Sequence, residues 1–375
     1  MWFLLSLTAF LFWSGSDFFS KLGSHPRDKY SHWKMVMAVG LVMGLHACYE
    51  MLFNGVSITF SDILAYLPAS ALYIGSMVLG YVGLRYIELS VSSPICNCSG
   101  ALAAVFCFIF LQEMPEAIGW VGVAFIAIGL VALAVVEQRE SDEAKDIRRA
   151  EGIKYSRSVL ALLLPLLYCL LDALGTFIDA VILAARAEGG ILKIVPSLYD
   201  RMCISMGITA EEITAAEALV EADPDLVSIA AQDAATFLEN ISEAAANVAN
   251  VCYELTFLFM AVFAAVYVFV IKRQRFVPTA EELTAEGTTA RRHLTRHELP
   301  KLAGGICETA GQFAYVFALA YSEETAGFAA AIISSYCAMS VLLSRLLLKE
   351  KLSRWHYLSI LVAFAGILIL GFLDM

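Results

Sequence analysis

The chain has 375 residues, of which 59% are hydrophobic and 16% are charged, and its formal net charge is −11 at pH 7. The mean hydropathy of +0.72 lies outside the range of soluble domains, so the composition excludes an ordinary soluble protein. Residues 186–248 carry 11 Asp and Glu against 3 Lys and Arg, so most of the negative charge belongs to one segment.

Ten apolar segments follow one another along the chain, each close to the roughly 20 residues that a helix needs to cross a bilayer. No basic residue precedes residues 2–13, so we expect a retained first helix there rather than a signal peptide. Because lipid cannot satisfy backbone groups, these segments predict an all-α polytopic membrane protein with ten transmembrane helices. The predicted segments are 2–22, 33–53, 64–86, 91–111, 117–136, 158–185, 247–271, 299–321, 325–347 and 355–373.

Sequence features of the first five segments recur in the last five. Asp17 lies at the same depth of segment one as Asp172 in segment six. Glu113 precedes Gly129 by 16 residues, and Glu350 and Gly366 repeat that spacing after segment nine. An odd number of crossings in each copy inverts one copy relative to the other. We therefore predict two inverted five-helix repeats at 1–137 and 158–375, with a linker at 138–157 and an acidic insertion at about 186–248.

Basic residues are distributed unevenly between the two sides of the predicted membrane. Alternate loops on one side carry 22 of the 25 Lys and Arg residues, and the other side carries only Arg186, Lys193 and Arg201. Loops rich in Lys and Arg stay in the cytoplasm. The linker is therefore predicted to be cytoplasmic, and the insertion and both termini are predicted to lie outside the plasma membrane.

The acidic insertion contains its own helix signals. Thr209 and Glu212 have the spacing of a capping box, and Asp223-Pro224 is typical of a helix start with proline in the first position. We interpret the insertion as a solvated acidic excursion, with a lid or a cation-attracting vestibule as the alternative. A helix leading into segment seven is predicted from one apolar face formed by Leu226, Ile229, Phe237, Ile241 and Val248.

Neither a disulfide framework nor a metal site is predicted. The nine cysteines are an odd number, and eight of them lie in or beside apolar segments. Cys96 and Cys98 point to different faces of a helix and cannot chelate one ion together. His293 and His297 are four residues apart but have no third ligand nearby in the sequence. We therefore expect no metal and no cofactor.

A few polar residues lie at depths where lipid does not tolerate them. Burying a carboxylate such as Asp172 or Glu308 at mid-membrane costs about 2.5–3.5 kcal/mol. Facing a wet cavity, pairing with a cation or binding a proton reduces that cost. Asp17 is a third such carboxylate, although Lys21 at i+4 makes an interfacial salt bridge an equal alternative. The candidate substrate and proton path is extended by Gln312, Tyr315 and Tyr336.

Three further polar residues receive a structural interpretation. Asp179 lies near the outer end of segment six and Glu254 near the start of segment seven, so we expect both to be hydrated. His46 in segment two is expected to be a hydrogen-bonded packing residue.

Several short motifs resemble those of a known family. Ser90-Val91-Ser92-Ser93-Pro94, Leu111-Gln112-Glu113 and Ile118-Gly119 through Gly129 look like the end of an EamA-like domain. The stretch from Ala329 through Glu350 to Gly366 repeats that order, with Ala331 in place of the expected proline. Apart from the insertion, the chain therefore resembles a two-domain EamA-like member of the drug/metabolite transporter superfamily. The resemblance implies a ten-helix inverted-repeat fold with a central cavity lined by helices one, three, four, six, eight and nine, but no particular substrate.

The resemblance also draws attention to one aromatic pair. The related small multidrug resistance proteins couple protons through a Glu in helix one, and that position falls on Trp13 here and on Tyr168 in the second repeat. Aromatic rings in this place suit a ligand with flat or cationic groups. Trp13 and Tyr168 therefore join the candidate path.

The expected function is secondary transport of a small polar or amphipathic metabolite across the plasma membrane by alternating access, rather than catalysis. The expected partners are the small molecule and the lipid bilayer, with coupling to protons left open and no nucleic acid. A monomer and a homodimer are both compatible with the sequence. The alternatives are a polytopic membrane enzyme acting on a lipid-linked substrate and a membrane sensor that uses the acidic insertion.

Overall fold

Helices form every regular element in the residues that the structure, a computed structural model, describes. This agrees with the predicted all-α class. The sequence motifs at 90–94, 112–113 and 349–350 lie outside the described residues, as do Pro224 and His293. The described residues are 1–23, 30–83, 96–111, 117–150, 159–183, 198–223, 226–275, 289, 294–321, 326–348 and 353–371.

The described residues of the first half form five helices. They are α1 at Trp2–Gly23, α2 at Ser31–Phe53, α3 at Phe60–Gly83, α4 at Ser99–Phe106 and α5 at Ala117–Ala150. A π-helical turn at Cys107–Leu111 extends α4. α1, α2 and α3 lie close to the first three predicted segments. The fourth segment was predicted from 91, but 91–95 lie outside the described residues and α4 begins only at Ser99. α5 begins at the predicted 117 and continues well beyond the predicted end at 136.

The described residues of the second half form eight helices, two of them within the predicted insertion. The insertion contains α7 at Leu198–Met206 and α8 at Ala210–Ala222. The next helix, α9, begins at Ile229 rather than at 247, because the amphipathic stretch before the apolar segment continues into it without a break. The set is α6 at Val159–Leu183, α9 at Ile229–Ala265 with a π-helical turn at Val266–Ile271, α10 at Leu299–Ala320 after another such turn at Leu294–Glu298, α11 at Ala326–Ser334, α12 at Tyr336–Leu348 and α13 at Arg354–Gly371.

The ninth predicted segment is two helices rather than one. The chain turns at Ser335, whose hydroxyl donates to the Ile332 carbonyl at 2.6 Å. The Ser335 carbonyl accepts from the Ala338 amide at 3.0 Å, which starts α12 in a new direction. The break is therefore made by a serine turn, four residues after Ala331 replaces the proline of the family pattern.

Five described helices are long and apolar enough to span a membrane. They include the apolar parts of α1, α2, α3, α6 and α9. Four shorter apolar stretches lie in α4, α5, α11–α12 and α13. One more helix, α10, is long enough but falls outside both sets because it contains Lys301, Glu308 and Gln312. The molecule is therefore a polytopic helical membrane protein.

Most helix contacts come in pairs. A contact between a helix of the first half and one of the second recurs between the helices at the corresponding positions of the opposite halves. α1 packs on α10 as α6 packs on α3, and α2 packs on α10 as α9 packs on α3. α1 also packs on α11 and α12, just as α6 packs on α4. The remaining large contacts, α2 with α9, α5 with α13 and α4 with α11, join corresponding helices of the two halves directly.

Repeated glycines lie where α5 crosses α13. A Cβ atom added to Gly129 would be 2.6 Å from the Ala363 amide nitrogen, and one added to Gly366 would be 2.8 Å from the Ile126 amide nitrogen. Backbones this close tolerate only glycine. The 16-residue motif seen in the sequence therefore places one glycine of each half at an equivalent point of the same crossing.

Part of the acidic insertion packs against the membrane helices. Leu198, Tyr199 and Cys203 of α7 are buried, and α7 contacts α9, α6 and α3. Arg201 donates from Nη2 to the Asp62 carboxylate at the start of α3, at 2.7 Å. The interpretation of the whole insertion as a solvated excursion is therefore wrong for α7, because its short apolar face and one arginine find partners on the bundle.

The predicted capping box is confirmed at α8. The Thr209 side chain accepts from the Glu212 amide, and the Glu212 carboxylate accepts from the Thr209 amide at 2.7 Å. The predicted helix start at Asp223-Pro224 is wrong, because Ser228 caps α9 and the Asp223 carboxylate instead accepts from the Ser228 amide at 2.7 Å. On the predicted apolar face of α9, Ile241 and Val248 are buried, Phe237 is partly buried and Ile229 is exposed.

Candidate functional site

The Trp13 ring lies at the meeting point of α1, α10 and α12. It packs on Gly311, where an added Cβ would be 2.4 Å from the indole Cδ1. Its ring centroid is 5.2 Å from that of Tyr315 and 6.0 Å from that of Tyr336. Three of the predicted site residues, one from the first half and two from the second, thus form one aromatic cluster.

Tyr168, the predicted repeat mate of Trp13, lies on a glycine in the same manner. An added Cβ on Gly80 of α3 would be 2.9 Å from the Tyr168 ring. Tyr168 is also close enough to Tyr336, Asp172 and Glu308 to interact with them electrostatically. The two aromatic residues therefore face the same polar region from α1 and α6.

The Asp172 carboxylate connects three helices. It accepts from the Ser76 hydroxyl of α3 at 3.2 Å and from the Ser99 hydroxyl at the start of α4 at 2.7 Å. Hydrogen bonds from two hydroxyls reduce the free energy of keeping a carboxylate away from water. Asp172 is therefore held between the two halves of the molecule.

Glu308 of α10 approaches this region from the opposite side. Its carboxylate accepts from Ser16 of α1, and it is near enough to Asp172 and Asp17 for their charges to act on it. Tyr336 is likewise close to all three carboxylates. The predicted residues on α1, α6, α10 and α12 therefore come together. The Lys21 side chain of the alternative salt bridge lies outside the described residues.

Two buried N–H groups near the aromatic cluster have no hydrogen-bond partner among the described residues. They are Trp13 Nε1 and Gln312 Nε2, and the Gln312 side chain is 3% exposed. An unmade bond of a buried donor costs free energy. Both groups can donate to an acceptor on a bound ligand.

Asp179 is fully buried, so its interpretation as a hydrated residue is wrong. Its carboxylate accepts from the Tyr66 hydroxyl at 2.5 Å and from the Tyr73 hydroxyl at 3.4 Å, and Tyr315 is a third donor. The Tyr73 hydroxyl oxygen also lies 3.2 Å from that of Thr176 and shares a hydrogen bond with Tyr315. This Asp179 cluster joins α3, α6 and α10 and touches the site through Tyr315.

Comparison with known proteins decides the family of the first half. The sequence model of the EamA-like transporter family matches residues 1–135. These residues are an EamA-like domain. The family belongs to the drug/metabolite transporter superfamily, so the resemblance drawn from the sequence motifs is confirmed for residues 1–135.

A solved structure supports the fold of the whole chain. This structure, titled only "Crystal structure of protein", is 12% identical in sequence and has a TM-score of 0.57. The similarity covers 99% of this chain and 98% of the other, so it extends beyond the EamA-like domain. At this identity it concerns the fold alone. No curated protein matches the sequence.

Glu254 is the second residue that the sequence placed wrongly in water. It is fully buried in the contact of α9 with α2, where His46 Nδ1 lies 2.9 Å from Glu254 Oε1 and Asn250 donates at 3.1 Å. His46 also lies edge-on against Phe313, with ring centroids 5.6 Å apart. The expectation of a hydrogen-bonded packing role for His46 agrees with these contacts.

Sequence reasoning missed the hydroxyl partners of the acidic residues. Tyr66 and Tyr73 are seven residues apart on α3, and Asp172 and Asp179 have the same spacing on α6. Such spacing places each pair on one helix face. This matching period was the available signal, but which helix lies opposite α6 is a tertiary property. Within the described residues, no three His, Cys, Asp or Glu side chains are placed to hold a metal ion.

Proposed function

We propose that this protein is a secondary transporter that moves a small polar or amphipathic metabolite across the plasma membrane. The observation that carries the proposal is the convergence of Asp172, Glu308 and Trp13 from three helices of both halves. Polar groups that meet inside a membrane bundle mark substrate and ion paths. Members of the EamA-like family are transporters rather than enzymes, which supports the same conclusion.

We also propose that the fold is a ten-helix inverted repeat. The paired helix contacts and the equivalent positions of Gly129 and Gly366 support this arrangement. α11 and α12 then count as one broken span, and α10 is a polar span that faces inward. Inverted repeats allow one half to rock against the other, so that a site between them opens to each side in turn.

The chemistry of the site suits a ligand with a cationic or aromatic part. Asp172 and Glu308 supply negative charge, and the rings of Trp13 and Tyr168 supply π faces for a cation. The unpaired donors of Trp13 and Gln312 supply a place for an acceptor group. A proton competing for the same carboxylates would couple its movement to that of the ligand.

The test is a metabolite-uptake screen in proteoliposomes, followed by Asp172→Asn. If Asp172 carries a coupling proton, this variant should still exchange substrate across the membrane. A pH gradient should then no longer drive accumulation of the substrate. If Asp172 pairs with a cationic substrate, binding should weaken by about 2–5 kcal/mol, because one partner of a buried pair is lost. Asp223→Asn, outside the predicted spans, is the control. Normal gradient-driven uptake by an Asp17→Asn, Asp172→Asn, Glu308→Gln triple variant would contradict the proposed carboxylate mechanism.

A further inference from the structure

The Asp179 cluster lies on the same helix faces as the proposed transport site. Asp172 and Asp179 are two turns apart on α6, and each is bonded to hydroxyls of α3. One residue between them is polar as well, because the Thr176 hydroxyl of α6 lies 3.2 Å from that of Tyr73. The α3–α6 contact therefore carries a line of oxygen atoms with one gap, between Thr176 and Asp172.

Hydroxyl groups suit both protonation states of a carboxylate. A hydroxyl is a donor and an acceptor at once, so it can donate to an ionised acid and can rotate to accept from a protonated one. Tyr66, Tyr73 and Tyr315 offer three such groups to Asp179. The cluster can thus bind a proton and release it without moving a helix.

The hydroxyls also form a path toward Asp172. Tyr73 bonds both Asp179 and Thr176, and Thr176 is one helical turn from Asp172. One turn is about 5.4 Å, a gap that a single water molecule bridges.

The outer end of the path meets the insertion. Tyr66 is one turn from Asp62, and Asp62 is bonded to Arg201 of α7. The cluster therefore lies toward the side of the membrane that carries α7 and α8. Arg201 forms its ion pair with the Asp62 carboxylate on that side.

In the corresponding contact of α1 with α10, the described residues do not repeat the Tyr73 hydroxyl. Gly80 meets Tyr168 as Gly311 meets Trp13, and by the same offset Tyr73 corresponds to Gly304 and Ser76 to Cys307. Gly304 has no side chain to offer. Within the described residues, the Tyr73 hydroxyl is therefore a feature of the α3–α6 contact that the α1–α10 contact lacks.

Acidic and hydroxyl groups make up most of the surroundings of Asp179. The titratable and charged groups described around the cluster are Asp62, Tyr66 and Tyr73 of α3, Asp172 of α6, Tyr253 of α9, Tyr315 of α10 and Arg201 of α7. Of these described groups only Arg201 is basic, and it forms an ion pair with Asp62. A proton can therefore neutralise Asp179 within the cluster.

We propose that Asp179 is a second proton-binding site, and that Tyr73 and Thr176 pass protons between it and Asp172 from the α7 side of the membrane. The inference rests on the proposed transport function, because a relay of this kind supplies the coupling proton. It assigns Asp179 and Tyr73 to proton transfer and leaves the substrate to the aromatic cluster.

The experiment follows protons rather than substrate. The full chain in lipid nanodiscs is subjected to a pH jump, and time-resolved infrared spectroscopy monitors the carboxylic C=O bands, assigned with Asp172→Asn and Asp179→Asn. Tyr73→Phe removes the relaying hydroxyl and keeps the ring. Tyr253→Phe is the matched control, because this buried tyrosine lies edge-on against Tyr73, with ring centroids 6.1 Å apart, and its hydroxyl donates to Met77 Sδ at 3.7 Å. Thr176→Val repeats the test should Tyr73→Phe fail to fold.

We expect Asp179 to give a band that titrates and that disappears in Asp179→Asn. Tyr73→Phe should slow protonation of Asp172 by roughly 100-fold, the lower end of what a positioned proton donor contributes, and Tyr253→Phe should leave the rate unchanged. An Asp179 that never changes its protonation, or an unchanged Asp172 rate in both Tyr73→Phe and Thr176→Val, would overturn the relay. Because no substrate is needed, absent metabolite uptake with an intact Tyr73 effect would refute only the transport proposal.

Discussion

At the scale of single residues, two glycines decide where the aromatic rings of the site lie. Gly311 and Gly80 leave room for Trp13 and Tyr168, and an added methyl group would come within 2.4 and 2.9 Å of the respective rings. Overlap of this kind forces a ring out of its rotamer or moves a helix. The position of each ring therefore depends on the absence of a side chain at the glycine that it contacts.

We therefore predict that Gly311→Ala and Gly80→Ala each displace a site ring and impair transport without preventing folding. For Gly311→Ala, the fluorescence of Trp13 in a background lacking the other tryptophans should shift, because its contact with Tyr315 is lost. Gly75→Ala is the control on α3, since its new methyl group would have its nearest neighbour at 3.7 Å, an ordinary contact. Unchanged fluorescence and transport in Gly311→Ala would contradict this role.

The acidic residues show which side-chain environments could be predicted from position along a helix and which could not. Asp172 was recognised from its depth and its repeat mate, and the structure gives it two hydroxyl donors. Asp179 and Glu254 were misplaced in water because position along a helix predicts only the distance from its end. Their burial comes from Tyr66 on α3 and His46 on α2, which no spacing within α6 or α9 reveals.

At the scale of elements, one ion pair holds the insertion to the bundle. Arg201 of α7 bonds Asp62, which is also accepting from the Thr59 amide at 2.8 Å at the start of α3. The α7 helix has only nine residues, so its stability depends on this docking rather than on its own hydrogen bonds.

We expect Arg201→Gln to loosen α7 and expose Cys203, which is 5% exposed in the docked helix. Labelling by a water-soluble maleimide, mapped by mass spectrometry, should become faster at Cys203 and stay unchanged at the already exposed Cys48. Glu211→Gln, on the exposed first turn of α8, is the control. Equal Cys203 labelling in Arg201→Gln and the native chain would mean that apolar contacts alone hold α7.

The start of α8 should respond to acid. The Thr209 backbone amide, which donates to the Glu212 carboxylate, lowers the pKa of that group below its ordinary value. A lowered pKa means that the capping contribution is complete above the unfolded-state pKa of about 4.3 and is lost as the pH falls through the lower folded-state pKa. Amide hydrogen exchange in the first turn of α8, corrected for its intrinsic pH dependence, should therefore rise in this acidic range.

A substitution checks the same capping box at neutral pH. Glu212→Ala should raise exchange in the first turn of α8 at pH near 7, because the Thr209 amide loses its acceptor. Protection that persists both in acid and in Glu212→Ala would assign the stability of this turn to packing instead.

At the scale of the whole molecule, the distribution of basic residues predicts the orientation in the membrane. With 22 of 25 Lys and Arg on one side, cysteine tags at both termini, in a background without native cysteines, should react with an impermeant reagent applied outside intact cells. Tags within 140–155 should stay protected. The reverse labelling pattern would show that the orientation is opposite to the predicted one, without contradicting the fold.

The sequence by itself determined the class of this protein. Hydropathy and the period of a helix are local properties, so the apolar segments and the capping box at Thr209 were readable without a structure. The docking of α7, the turn at Ser335 and the burial of Asp179 were decided only by the tertiary structure. Each depends on which helix lies opposite, and in a bundle of similarly apolar helices that choice is made by close packing at a few small residues and by the polar side chains that find one another across the contact.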